Sequence, residues 1–277
     1  MTSLIERLEQ KQRERLDTIE ARWARLEAAT QVFGPDDDVA RPAVLLFHGC
    51  GGLRPHLPKY AQAAVEAGCR AFVVDSYGAR GWPQLFGLTF VCTGAVFRGR
   101  ERAGDILAAI WGVSRRRDVD ASRIAVAGWS HGGWGIMELM AAPLVRPGEI
   151  GLADAHAGDL SGVKSAFLVY PYVGVGATAR FKPWLRKPRT YAVIARRDHL
   201  TTVRNAEKVY EAVRGSGVEV EAWTAEGTHS FDEPMNAPPM RYDETLAGEC
   251  VGRFRRFLEA TLAAPQAAGK PARRRRA

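Results

Sequence analysis

The sequence predicts an α/β fold: a mostly parallel sheet with helices on both faces and no separate cap domain. Three observations predict it. Between about residues 40 and 263, short apolar runs alternate with segments of helical spacing. Strands that are apolar at every position are buried on both faces, and intervening helices that cover both faces imply parallel pairing. Only about 20 residues separate the strand-like run near Tyr170 from the one near Thr190, too few for an independent domain. The composition agrees. A chain of 277 residues, 46% hydrophobic and 25% charged, can bury a core without staples. Disordered, collagen-like and disulfide-scaffold classes are excluded.

The elements follow in order. Residues 1–30 hold six acids and six bases, and Ile5, Leu8, Leu16, Ile19, Trp23 and Leu26 recur at helical steps broken by Gln12. This is an amphipathic helical extension, expected to pack on its own body in preference to another chain, with residues 23–33 alternatively an extended lead-in. The α/β domain spans residues 31–263. Strands are expected at Ala43–Phe47, Ala71–Asp75, Arg123–Ala127, Ala166–Tyr170, Tyr191–Ala195 and Val218–Trp223. Helices are expected at Pro58–Gly68, Glu101–Val113, His131–Met140, Thr202–Arg214 and Asp243–Leu262. Residues 76–100 form a long insertion that mixes Gly78, Gly81, Pro83, Gly87 and Gly94 with Trp82, Phe86, Phe90 and Phe97. Loops of this length are uncommon unless functional. Residues 264–277 are a disordered basic tail without a core-forming pattern.

That tail carries Lys270 and Arg273–Arg276 and no acid, so five of the eight net positive charges belong to it. The high pI therefore says little about the folded body, and nucleic acid is not expected as a partner beyond weak contact through the tail. No apolar run approaches the roughly 20 residues that span a bilayer, so no membrane partner is expected. The charged first twenty residues lack an export-like apolar stretch, which makes a cytoplasmic location the expectation. Cys50, Cys69, Cys92 and Cys250 show no C-x-x-C pairing and are expected to be reduced thiols there.

One motif carries chemistry. Gly128-Trp129-Ser130-His131-Gly132 matches G-x-S-x-G. Alone the pattern is weak, and a glycine-rich helix start with an incidental serine is the bland reading. Here it follows a predicted strand and precedes a predicted helix, the context that lifts a serine hydroxyl above a sheet on a sharp turn. A serine hydroxyl needs a base within hydrogen-bond reach and an acid to orient that base. In this architecture the chain order is serine, acid, histidine. Asp198, after the run Tyr191–Ala195, and His229, after the next strand, appear in that order. Asp154 and Asp159 precede the strand at Ala166, and Asp232 is too near His229 to face its far nitrogen. The bland reading of Asp198 is a helix cap or an ion pair with Arg196 or Arg197.

A tetrahedral intermediate needs backbone N–H donors, each worth roughly 3–4 kcal/mol. The residue after the nucleophile, His131, supplies one. The other is expected from His48-Gly49-Cys50-Gly51-Gly52, with the Cys50 amide first and that of Gly49 as its rival. Cys50 has no base of its own to make it a nucleophile.

The segments Ala43–Gly52 (AVLLFHGCGG), Val73–Gly81 (VVDSYGARG), Val119–Gly133 (VDASRIAVAGWSHGG) and Gly227–Asp232 (GTHSFD), with Asp198, resemble the dienelactone-hydrolase-like family of the α/β-hydrolase superfamily over about residues 40–260. The resemblance implies a capless α/β-hydrolase with a nucleophile-His-Asp triad acting on esters or lactones. Carried across, it implies Ser130 as nucleophile, His229 as base and Asp198 as acid. Position 130 is serine where the family's namesake enzymes use cysteine.

The expected function is a serine hydrolase of carboxylic esters or lactones. Arg80, Tyr77 and Trp129 are substrate-binding candidates, and Arg98 and Arg100 further cations able to hold a carboxylate, with a solvated or structural role as the bland reading of each arginine. No cofactor is required, and no His/Asp/Cys cluster has metal-ligand spacing. The rivals are an aminoacyl or peptide-bond hydrolase and a non-catalytic binding module that keeps the elbow as architecture.

Overall fold

A computed structural model of the chain describes residues 16–263. The expected helical positions Ile5 and Leu8 and the basic tail lie outside the described residues. Seven strands form one sheet: β1 (Thr30–Phe33), β2 (Arg41–Phe47), β3 (Arg70–Val74), β4 (Val119–Trp129), β5 (Val163–Val169), β6 (Arg189–Arg197) and β7 (Val220–Thr228). Their order is β1-β3-β2-β4-β5-β6-β7. Every neighbouring pair is parallel except β1 with β3. The chain runs outward from β2 to β3, returns past β2 to β4, and proceeds to β7. Order therefore reverses between β2 and β4, where open α/β sheets form their sites.

The helices are α1 (Ile19–Glu27), α2 (His56–Glu66), α3 (Gly99–Val113), α4 (His131–Ala141), α5 (Val203–Gly215) and α6 (Glu244–Leu262). Side chains alternate along each strand, so an unbroken apolar run feeds two cores. Leu45, Phe47, Val126 and Leu168 pack on one face with α1, α3, α4 and α5. Val44, Leu46, Ala127 and Val169 pack on the other with α2 and α6. Thr18, Thr202 and Asp243 cap α1, α5 and α6 by accepting from Ala21, Asn205 and Leu246 amides.

The helix α1 packs on its own body. Ile19, Trp23 and Leu26 enter the first core, and a Cβ at Gly112 of α3 would lie 2.1 Å from the Trp23 indole. Arg22 reaches the fully buried Asp105, which also takes a bidentate pair from Arg80. Burial alone would raise the Asp105 pKa, but Arg80, then Arg22 and Arg102, hold it down at about 2. The edge strand β1 falls within the stretch 23–33, for which an extended lead-in was the alternative; its residues are half or fully exposed and carry no apolar run that marks a strand.

The insertion 76–100 is built of short helical turns at Gly78–Arg80, Gln84–Phe86 and Gly87–Val91. Tyr77, Val91 and Phe97 form a small third core with Trp82 and Phe86. Among the described residues no helix is long and apolar enough to cross a membrane.

Candidate active site

Four strands end one residue short of a chemically relevant group. The loop 48–52 follows Phe47 of β2, Ser130 follows Trp129 of β4, Asp198 follows Arg197 of β6, and His229 follows Thr228 of β7. Parallel register brings these ends to one edge: Phe47 pairs with Gly128, Trp129 with Val169, and Arg197 with Thr228. The long-range meeting of three side chains is thus a product of sheet register.

Ser130 sits at φ 47° and ψ −108°, a region that side chains rarely adopt. Its amide donates to the Val169 carbonyl at 2.9 Å, and its own carbonyl accepts from Trp134. The Ser130 hydroxyl donates to His229 Nε2 at 2.9 Å. His229 Nδ1 donates to Asp198 Oδ2 at 2.7 Å. Asp198 Oδ1 accepts from the Leu200 and Thr201 amides at 2.7 and 3.0 Å, which fixes the carboxylate's orientation. All three residues are buried, at 6%, 3% and 9% exposure, so water competes little for these bonds. Arg196 and Arg197 turn instead to the side chain and carbonyl of Glu226.

The loop 48–52 abuts the elbow. A Cβ at Gly49 would lie 3.4 Å from Ser130 Cβ. Cys50, Ser130 and His131 line one cavity of about 310 Å³. Its walls are Val91, Cys92, Thr93, Gly94 and Arg98 from the insertion, and Trp134, Tyr172, Val175 and Leu200 from the sheet edge. Arg98 is the one charged side chain among these lining residues.

Burial pushes the neighbouring imidazoles toward the neutral form. Burial, then the nearby Arg102 guanidinium, pushes the His131 imidazole down to about 3, and its Nε2 meets the Phe97 carbonyl at 2.7 Å. Burial pushes His56 down to about 4. Burial and Arg102 also lower His48, whose Nδ1 meets the Gly49 carbonyl at 2.7 Å.

Three expected substrate contacts are not at the cavity. Arg80 is committed to Asp105, with both contacts at 2.8 Å, and covers the Phe97 ring. Tyr77 is 3% exposed and donates to the Cys50 carbonyl from behind. Trp129 is fully buried on the opposite face of the sheet, because strand alternation turns it away from its neighbour Ser130. Arg100 opens into a different groove beside Glu138 and Glu149. Trp134 went unnoticed although it stands four residues after Ser130, one helical turn on the same face. Tyr172 and Val175 carried no sequence signal, since an irregular loop delivers them.

The cysteine expectation also needs correction. Cys50 and Cys92 form a disulfide with Cα atoms 5.1 Å apart, whereas Cys69 and Cys250 are free and buried. Spacing could not reveal the pair, because 42 residues separate them and only folding brings the insertion against the loop after β2. A closed loop of that length is worth about 4 kcal/mol of unfolded-state entropy. Dithiothreitol, or Cys92→Ser, is therefore expected to lower the thermal midpoint by on the order of 10 °C. An unchanged midpoint under reducing conditions would contradict this.

The sheet order, the strand-to-helix elbow and the strand-end loops define the α/β-hydrolase fold. Within it, the fold is that of the dienelactone-hydrolase-like proteins. A dienelactone hydrolase-like promiscuous phosphotriesterase from metagenomic libraries matches with a TM-score of 0.60 at 15% identity, over 84% of this chain and 92% of the other. A thermophilic esterase from the Planctomycetes species Thermogutta terrifontis, with propionate bound, gives 0.62 at 16%, over 86% and 91%. The esterase 2 of Thermogutta terrifontis phosphorylated by paraoxon gives 0.61 at 17%, over 86% and 90%. At these identities the likeness is one of fold. No protein-family profile matches the sequence, and no curated protein matches it.

Proposed function

We propose that this protein is a serine hydrolase that cleaves a carboxylic ester or lactone through an acyl-enzyme on Ser130. One observation carries the reading: the unbroken hydrogen-bonded line from Asp198 through His229 to Ser130 Oγ. Ser130 attacks the carbonyl carbon while His229 Nε2 takes its proton. Asp198 holds the imidazole in the tautomer that leaves Nε2 free to accept, and stabilises the imidazolium once formed. The Cys50 and His131 amides receive the oxyanion. His229 then protonates the leaving alcohol, and water releases the acyl group by the reverse sequence.

The cavity favours a small substrate, since about 310 Å³ is at the lower end of the range for ligand sites. Val91, Trp134 and Val175 suit an apolar acyl or alcohol group. In a cytoplasmic setting the Cys50–Cys92 bond has to withstand a reducing thiol pool, so that location holds only if the pair has a low reduction potential.

The test is labelling by a fluorophosphonate, with the adduct mapped by mass spectrometry, beside turnover of p-nitrophenyl acetate and butyrate. The adduct is expected on Ser130, and Ser130→Ala is expected to lose both labelling and turnover. Equal ester rates in wild type and Ser130→Ala would refute the assignment.

A further inference from the structure

The segment that carries His229 ends in a second buried carboxyl group, Asp232, at 2% exposure. It does not touch Ser130 or His229. Its Oδ2 accepts from Tyr60 Oη at 2.7 Å and from Trp129 Nε1 at 2.9 Å, and its Oδ1 accepts from Tyr170 Oη. Each donor comes from a different part of the fold. Tyr60 lies in α2, Trp129 is the last residue of β4, and Tyr170 follows β5.

Two of the three donors adjoin the reacting groups. Trp129 is the peptide neighbour of Ser130. Tyr170 lays its ring 4.7 Å from the His229 imidazole, while its own backbone sits at φ 35°. A non-glycine residue at positive φ needs a surrounding constraint, and the Asp232 contact supplies one. The Tyr170 amide also donates to Val193 of β6 at 2.8 Å, which ties the ring to the strand that delivers Asp198.

We propose that Asp232 is a positioning residue for the Ser130–His229 pair. It acts through Trp129 on the nucleophile elbow and through Tyr170 on the imidazole. The three donors converge on one rigid acceptor, so the elbow and the histidine loop cannot drift apart independently. A carboxyl group suits this place because it accepts at both oxygens. The indole N–H can only donate, and burial pushes the pKa of both Tyr60 and Tyr170 well up, which keeps their hydroxyls as donors. The inference rests on the reading of Ser130 as nucleophile.

The experiment compares Asp232→Asn, Tyr170→Phe and their double variant, with p-nitrophenyl butyrate as substrate and the rate of fluorophosphonate labelling as a second readout. Asp232→Asn keeps the shape but turns one acceptor into a donor facing Tyr170. It is expected to lower kcat by on the order of 10- to 100-fold with KM within about threefold, as a small misplacement of reacting groups does. The labelling rate should fall in parallel. Tyr170→Phe keeps the ring against His229 and loses only the tether, so it should lower kcat in the same sense even if Asp232→Asn does not fold. The double variant should be no worse than the more impaired single one. A kcat within twofold of wild type in the variants, a loss carried wholly in KM, or additive losses in the double variant overturns the proposal. Full activity in Ser130→Ala would instead remove the underlying reading, so the two failures are distinct.

Discussion

His229→Ala is expected to remove ester turnover as completely as Ser130→Ala, a loss on the order of 10⁶-fold in kcat, while Asp198→Asn should cost about 10⁴-fold. The reason is geometric. The neighbouring imidazoles are poor substitutes as base, because burial pushes His131 down to about 3 and lowers His48, whose Nδ1 is also turned to the Gly49 carbonyl. His199 comes nearest, with its ring 5.8 Å from that of His229. His229→Ala combined with His199→Ala should therefore be no slower than His229→Ala alone. The Ser130→Ala/His229→Ala pair should likewise match either single variant, because the two groups act as one unit. Steady-state kinetics on p-nitrophenyl acetate checks both points. A His229→Ala protein retaining a tenth of wild-type kcat would exclude the mechanism.

Gly132→Ala is expected to be the most destabilising single-methyl change at the elbow. Its Cβ would stand 2.2 Å from the Phe47 carbonyl oxygen and 2.9 Å from that of His48. Both neighbours are backbone, and Phe47 is locked into parallel pairs with β3 and β4, so neither can yield cheaply. Overpacking of a rigid site costs about 1–3 kcal/mol, occasionally more, and a backbone clash this close belongs at the upper end. Relief would come only by pushing the loop after β2 away from Ser130, so activity should fall with stability. The contrast is Gly248→Ala, in the second turn of α6, where a Cβ meets nothing within 4 Å. That change should stabilise by roughly 0.5–1 kcal/mol through reduced unfolded-state freedom. Chemical denaturation of the two variants tests the pair, and similar midpoints would contradict the packing argument.

What the sequence disclosed follows from periodicity and chain order. The six runs became six parallel strands: five are apolar enough to face two cores, and the sixth, β7, lies at the sheet edge with its first residues partly exposed. The elbow serine, the acid and the histidine were legible because each follows a strand, and parallel strands end at one edge. The structure extends β7 to Thr228, bringing its end directly to His229, where the reading stopped the strand at Trp223. Its later residues alternate with polar ones, as on an edge exposed on one side. What failed depends on direction in space. Trp129 was a substrate-binding candidate, yet it neighbours Ser130 only along the chain, and strand alternation buries its side chain in the opposite core. Arg80 was a candidate for holding a substrate carboxylate, with a structural role as its alternative, and a buried acid 25 positions later takes it for structure. The Cys50–Cys92 bond joins two loops whose meeting no local pattern encodes.

The Trp23–Gly112 contact bears on where the folded unit begins. An indole seated where α3 has no side chain is a keystone, and the groove beneath it is shaped for nothing else. Residues 19–27 are therefore built into the wall of the domain. A shortened chain starting at residue 31 would uncover Gly112 and take the Arg22 partner from the Asp105 carboxylate.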